Sequence, residues 1–251
     1  KVKSLYITAP ATTDSKKMEH ILKLIENSEV NSVTIDIKTV SGYTSFEMDE
    51  KYFWDIVPES NNMIQNPQEL VKKFHDAGAY VIGRVVVFKD KKLADDRPDL
   101  AVQKPDRKTV WSDYKWLKYL DPGAQEVREY NAAIAKAAYD IGFDEINFDY
   151  VRFPTDGKIS QTYYPHSQQI QDENGKYGKI IVLDTFSEHI TRITKETHPD
   201  IVLSADIFGL ITRHNEYMIG QNLESFLLYF DYIWPMIYPS HYGKWFLGLE
   251  V

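Results

Sequence analysis

Two aspartates, Asp149 and Asp206, stand at the carboxyl ends of two segments rich in β-branched and aromatic residues, 145–151 and 201–208. In a parallel barrel, inward side chains at the ends of neighbouring strands lie several ångströms apart. Two carboxyl groups about 5–5.5 Å apart cleave glycosidic bonds with retention, and a gap of about 6.5–9.5 Å favours inversion. The two positions therefore predict a pair of carboxyl groups with the chemistry of glycosidic cleavage.

The two carboxyl groups are predicted to have different roles. Asn147 precedes Asp149 on the same strand face, and Arg152 follows it. A cation beside Asp149, either Arg152 or Lys38, would favour its ionised form, which leaves Asp206 as the proton donor. Two structural alternatives stay open: an Asp149–Arg152 ion pair, and a helix cap formed by Asp206 ahead of Gly209.

Further polar and aromatic residues on the same segments are candidates for binding a substrate. Alternation places Thr34, Asp36 and Lys38 on one strand face. Asp36 and Lys38 are equally compatible with an ion pair inside the barrel, with Arg84 as a partner. Aromatic rings at strand ends can stack on sugar rings, although most aromatic residues form core. The predicted substrate-binding residues are Tyr6, Asp36, Lys38, Arg84, Asn147, Arg152, Trp234, Tyr238 and His241.

Composition excludes several other classes of site. The chain has no cysteine, and its seven histidines lack the spacing of metal ligands, so we predict neither a metal nor a cofactor. It contains no Gly-x-Ser-x-Gly elbow and no phosphate-binding loop. The net charge of −8, without a basic stripe, argues against nucleic acid as a partner. No apolar run reaches the ~18 residues of a membrane span.

Six short β-rich segments, each followed by a helical pattern, must position these residues. They comprise residues 4–8, 32–38, 80–88, 145–151, 201–208 and 232–238. Because the first begins directly after Lys3, we expect a strand there and no export signal within the chain. The helix before the fourth segment is expected to begin at Asp121 as its cap, with Pro122 in first position, and to end at Gly142.

The alternation of strands and helices predicts a parallel sheet, either a closed barrel or an open doubly wound sheet. Polar residues at alternate strand positions and the absence of a glycine-rich first turn favour the barrel. The expected fold is α/β, a (β/α)8 TIM-type barrel in a single domain over residues 1–251, incomplete or truncated at the C-terminus. Two long connections, residues 89–123 and 155–178, are expected to form walls of a substrate cleft.

Three motifs carry a resemblance to a known family: VTIDIK at 33–38, YVIGRVVVFKD at 80–90, and GFDEINFDYVRFP at 142–154. From the first strand through residues 238–242, the chain resembles a bacterial family of putative glycosyl hydrolase domains of unknown function. That family is similar to the α-amylase-type (β/α)8 barrels. The resemblance implies that Asp149 is the nucleophile and Asp206 the acid/base. It also implies an exported or envelope-associated protein acting on an extracellular or cell-wall polysaccharide.

Two positions depart from the α-amylase pattern. The fifth strand carries Asp206 where those enzymes usually have glutamate, and their strand-seven carboxylate has no visible counterpart here. The main hypothesis is a retaining glycoside hydrolase that acts on a polysaccharide or oligosaccharide. The alternatives are a non-catalytic carbohydrate-binding module on a degenerate barrel and an intracellular α/β enzyme for a small polar substrate. An Asp206 side chain facing the helices would favour the binding module, and a narrow closed pocket would favour the small substrate.

Overall fold

Six strands form one parallel sheet in the computed structural model, which describes residues 1–212 and 218–238. Neighbours in the sheet are also neighbours in sequence, from β1 to β6. The six predicted strands are confirmed, with small differences at their ends. The strands are β1 Ser4–Ile7, β2 Ser32–Lys38, β3 Tyr80–Val86, β4 Glu145–Asp149, β5 Val202–Phe208 and β6 Tyr232–Met236.

Helices follow the strands and cover one face of the sheet. They are α1 Ala9–Thr12, α2 Ser15–Asn27, α3 Pro67–Asp76, α4 Lys91–Asp96, α5 Gln125–Ile141, α6 Lys179–Lys195 and α7 Leu223–Tyr229. Gly142 ends α5 with φ of 116°, as predicted, because a left-handed residue suits the position after a helix. Within the described residues, no helix is long and apolar enough to cross a membrane.

The sheet has an apolar face and a polar face. On β4, Ile146 and Phe148 are fully buried in the hydrophobic core, whereas the alternate residues are polar. The sheet curls around its polar face. Tyr6 of the first strand and Trp234 of the last strand therefore line one common cavity. The described residues thus contain six parallel strands of a curled, barrel-like α/β sheet, where a complete TIM-type barrel has eight.

A β-bulge near the end of β2 turns Lys38 away from the polar face. The register with β3 shifts between Asp36 and Lys38, so the strict alternation that we assumed fails there. The Lys38 side chain is completely buried, with Nζ 2.9 Å from Asp90 Oδ2 and 4.7 Å from the centre of the Tyr130 ring. Lys38 is therefore an internal ion-pair partner, and the expectation that it shares a face with Asp36 was wrong.

Asp121 joins the two long connections instead of capping α5, which begins four residues later at Gln125 with Ala124 as its N-cap. Its buried carboxylate accepts hydrogen bonds from the backbone nitrogens of Gly123 at 2.8 Å and His166 at 2.7 Å. It also accepts the Ser167 hydroxyl at 2.6 Å and the Ser167 backbone nitrogen at 3.2 Å. The predicted helix cap is wrong because these contacts across the chain use the carboxylate.

Candidate active site

A cavity of about 420 Å³ opens on the polar face of the curled sheet and extends from Ser4, at the start of β1, to the ends of the strands. It contains both carboxyl groups that the sequence predicted, Asp149 and Asp206. Five of the predicted substrate-binding residues line it as well: Tyr6, Arg84, Asn147, Trp234 and Tyr238. The prediction did not include the other lining residues, Ser4, Thr34, Ile82, Pro235, Met236 and Ile237. The alternation of residues along the strands was therefore enough to predict most of the polar groups that line the cavity.

Arg84 connects Asp149 to a second carboxylate behind the cavity wall. Its guanidinium donates to Asp149 Oδ2 from Nε at 3.0 Å and from Nη2, and to Asp36 Oδ1 from Nη1 at 2.7 Å. Asp36 also accepts the Tyr6 hydroxyl at 2.6 Å. Burial and this hydrogen bond raise the pKa of Tyr6, so its phenol stays protonated. Asp36 thus holds both Arg84 and Tyr6 in place.

Arg152 lies apart from the cavity lining, which corrects its predicted role. Its Nη1 donates to the Phe153 carbonyl at 3.1 Å and to Thr155 Oγ1 at 3.2 Å. The guanidinium lies over the rings of Tyr150 and Phe208, 4.9 and 5.1 Å from their centres. The cation bonded to Asp149 is Arg84, so the alternative of an Asp149–Arg152 ion pair was wrong.

Asp206 is partly buried and has a neutral hydrogen-bond donor. Asn147 Nδ2 donates to Asp206 Oδ1 and to Ser204 Oγ, both at 3.1 Å. Burial, together with the negative charge of Asp149, raises the pKa of Asp206 to about 7. The side chain faces the cavity, so it is neither a helix cap nor turned toward the helices. Two neighbouring carboxyl groups with unlike environments are the arrangement that separates a proton donor from an ionised partner.

Glu145 is a third acidic residue on the polar face, and the sequence analysis did not assign it to the site. It is buried at the start of β4, and it accepts a hydrogen bond at 3.1 Å from Trp234 Nε1. Burial raises its pKa. Its place two residues before Asn147 on the same strand face was the signal that could have identified it. Its contact orients the Trp234 indole along the cavity wall.

Two further predictions fall outside this arrangement. Lys38 is buried against Asp90, as described above, and His241 lies outside the described residues. Within residues 1–212 and 218–238, no group of three or more histidine and acidic side chains is placed to hold a metal ion.

Replacing Arg84 by glutamine is expected to lower the free energy of unfolding by about 3 kcal/mol at pH 7, because two buried carboxylates lose their cationic partner. Urea denaturation would measure this loss. Arg97 offers a matched control, since it also joins two aspartates, Asp99 and Asp55, but at the surface. Arg97→Gln is expected to cost under about 1 kcal/mol, and equal losses in both variants would contradict the buried network.

Replacing Asp206 by asparagine is expected to stabilise the protein above neutral pH. Folding raises the pKa of Asp206 to about 7, so the protonated carboxyl group favours the folded state. Its contribution to the free energy of unfolding is complete below about pH 4 and is lost as the pH rises through 7. The asparagine side chain cannot ionise, so the variant should gain about 4 kcal/mol in free energy of unfolding at pH 8 and little at pH 4. Urea denaturation at both pH values would test this. The exposed Asp156, changed to asparagine, should show no such pH-dependent gain.

The sequence matches the family described as the putative glycosyl hydrolase domain, over residues 4–251. The chain belongs to this family. The family assignment agrees with the resemblance carried by the strand motifs around Asp36, Arg84 and Asp149. No curated protein matches the chain.

Several solved structures share the fold of this chain. A hypothetical protein from Ruminiclostridium thermocellum is 31% identical, with a TM-score of 0.64 over 80% of this chain and 96% of its own. An α-amylase from Lactobacillus plantarum is 14% identical, with a TM-score of 0.58 over 92% of this chain and 52% of its own. An α-L-fucosidase from Paenibacillus thiaminolyticus, also 14% identical, has a TM-score of 0.56 over 82% and 32%.

The chain spans about half or less of these two enzymes. At 14% identity, the likeness to them concerns the fold alone.

Proposed function

We propose that this glycosyl hydrolase domain is a retaining glycoside hydrolase, with Asp149 as the nucleophile and Asp206 as the general acid/base. One observation carries the proposal. Asp149, bonded to a permanent cation, and Asp206, with its pKa raised to about 7, lie together in one open cavity at the strand ends. This is the pairing of an ionised and a protonated carboxyl group that glycosidic cleavage requires.

In the first step, Asp206 donates its proton to the glycosidic oxygen while an Asp149 oxygen attacks the anomeric carbon. The bond between that carbon and the leaving oxygen breaks, and a covalent glycosyl ester forms on Asp149. Arg84 bonds to Asp149 Oδ2, while Oδ1 accepts the Tyr150 backbone nitrogen. These contacts fix the plane of the carboxylate, so the attacking oxygen is positioned before the substrate arrives.

In the second step, Asp206, now a carboxylate, accepts a proton from water as the water oxygen attacks the anomeric carbon. The ester bond breaks, Asp149 recovers its carboxylate, and the free sugar keeps the original anomeric configuration. Because the Asp206 proton returns from water, both carboxyl groups end in their starting states. The pKa near neutrality suits a group that must first donate and then accept a proton.

The cavity walls favour a sugar as the bound group. Tyr6, Trp234 and Tyr238 contribute aromatic surface, and Arg84 and Asn147 contribute donors for hydroxyl groups. An opening of this kind admits part of a longer chain, and we therefore propose an extracellular or cell-wall polysaccharide as the substrate. The third hypothesis, a small polar substrate in a closed pocket, fits this open cavity less well.

The test is to incubate the protein with a panel of bacterial exopolysaccharides and cell-wall glycans between pH 5 and 8, and to detect new reducing ends. The anomeric signal of the first product, followed by proton nuclear magnetic resonance before mutarotation, should match that of the substrate. Inversion of the signal would contradict the covalent step. Binding of the glycans without any product would favour the carbohydrate-binding module.

A further inference from the structure

A short hairpin in the first long connection presents two aromatic side chains to solvent. Ser112 and Lys118 form an antiparallel bridge, and the turn between them carries Tyr114 and Trp116. Tyr114 is 73% exposed and Trp116 is 77% exposed. We call these two residues, with Lys115 between them, the aromatic tip. Two exposed aromatic rings on one short turn form a contiguous apolar surface, and such patches, unlike single exposed rings, mark binding sites.

The turn under the aromatic tip is well ordered by hydrogen bonds. Asp113 is buried, and its Oδ1 accepts the backbone nitrogens of Lys115 at 2.8 Å and Leu117 at 2.9 Å. Trp116 has φ of 60°, a left-handed conformation that bulky residues rarely adopt. A fixed turn that forces a tryptophan into this conformation and holds it in solvent is the kind of local strain that accompanies function.

A buried ion pair connects this turn to the end of β4. Lys89 Nζ lies 3.1 Å from Asp113 Oδ2, and both side chains are almost completely buried. The same ammonium lies 5.2 Å from the centre of the Tyr150 ring, and Tyr150 directly follows Asp149. The aromatic tip is therefore anchored to the residue next to the proposed nucleophile, on the side of the sheet where the strands end.

The second long connection supports the hairpin from its other side. Trp111 Nε1 donates to the Lys158 carbonyl at 3.2 Å. Gly157 packs so closely on Trp111 and Asp113 that an added Cβ would lie 2.8 Å from the Trp111 ring and 3.0 Å from the Asp113 Cα. Since φ of Gly157 is also 95°, glycine is required there. The aromatic tip is thus a rigid projection, already in place before any ligand binds.

We propose that the aromatic tip is a second sugar-binding site, which stacks on units of a polysaccharide chain beyond those in the cavity. Flat rings bury the apolar faces of sugar rings, and the Lys115 ammonium offers donors to hydroxyl groups. Two rings and a lysine form too small and too polar a surface for a stable protein interface. The choice of a polysaccharide as the occupant rests on the proposed function. One polysaccharide chain would then occupy the cavity and the aromatic tip together.

The variant Tyr114→Ser/Trp116→Asn removes both rings with little risk to the fold, because asparagine tolerates the left-handed conformation at 116. Affinity electrophoresis in gels that contain soluble starch, galactomannan, dextran or solubilised bacterial cell-wall glycan would measure binding. At least one polymer should retard the wild-type protein. Its dissociation constant should rise about tenfold in the variant, as expected when two stacking contacts are lost.

Trp54→Ser is the control, since Trp54 is fully exposed but lies near Glu126 and Glu129 at the start of α5, outside the cavity. This variant should migrate as the wild type does. Hydrolysis of a short aryl glycoside should be unchanged in the aromatic-tip variant, while KM for the retarded polymer rises. Equal retardation with and without the two rings, or no retardation of the wild type by any polymer, would overturn the proposal.

The binding readout does not depend on catalysis. If Asp149→Asn is still retarded and only the aromatic-tip variant loses retardation, the second site stands even if no hydrolysis is found. If hydrolysis is found and retardation is the same in all variants, the proposed function stands and the second site fails.

Discussion

Replacing Asp149 by asparagine is expected to lower turnover by about 10⁴-fold or more, the scale on which hydrolases lose activity without their nucleophile. An amide cannot form the covalent ester, although it fills the same space. The fold should persist, because Arg84 keeps its hydrogen bond to Asp36 at 2.7 Å. Measured turnover of the most active glycan, together with the thermal unfolding temperature, would establish both parts of this result.

The matched control is Asp156→Asn, the same chemical change on an exposed residue of the following loop. It should keep wild-type activity. A smaller variant, Asp149→Gly, should recover activity with added azide and release a glycosyl azide of inverted configuration, since azide enters from the side that the carboxylate vacates. Undiminished turnover in Asp149→Asn would exclude Asp149 as the nucleophile.

Replacing Asp206 by asparagine is expected to lower kcat/KM by about 10³-fold for a glycan, whose leaving group must be protonated. For a 4-nitrophenyl glycoside the first step should be slowed far less, because nitrophenolate leaves without a proton. In the wild type, kcat/KM should fall as the pH rises through about 7, where Asp206 loses the proton it must donate. Initial rates between pH 5 and 9 on both substrates would measure this.

The asparagine variant should show no fall in kcat/KM near pH 7, since it has no proton to lose there. This outcome distinguishes a proton donor from a residue that only supports the cavity. Replacing a supporting residue would lower kcat/KM equally for both substrates and at every pH. An alkaline fall that persists in Asp206→Asn would assign the titration to another group.

Much of the fold was predictable because the strands alternate apolar and polar residues with a period of two. Ile146 and Phe148 face the core, and Asn147 and Asp149 face the cavity, as this period requires. The bulge after Asp36 was not predictable. A buried lysine needs a partner, and Lys38 finds it in Asp90, 52 positions away in sequence. No local pattern contains that pairing.

The site was predictable to the extent that strand ends converge, which brought Asp149 and Asp206 together. The cation beside Asp149 was predicted wrongly, because it is Arg84 and neither Arg152 nor Lys38. The parallel register of β3 and β4 determines the partner of Asp149, since it places Arg84 opposite Asn147 and Val86 opposite Asp149. Arg84 therefore reaches Asp149 from the neighbouring strand, while Arg152, beyond the strand end, turns back to Thr155.

The carboxylate of Asp121 couples the stability of the two long connections. It bonds Gly123 at the end of one long connection and both His166 and Ser167 in the other. Separating either loop from the body breaks the same hydrogen bonds, so local unfolding of one weakens the other. The two connections therefore form one cooperative unit, and we expect them to unfold locally together, never one without the other.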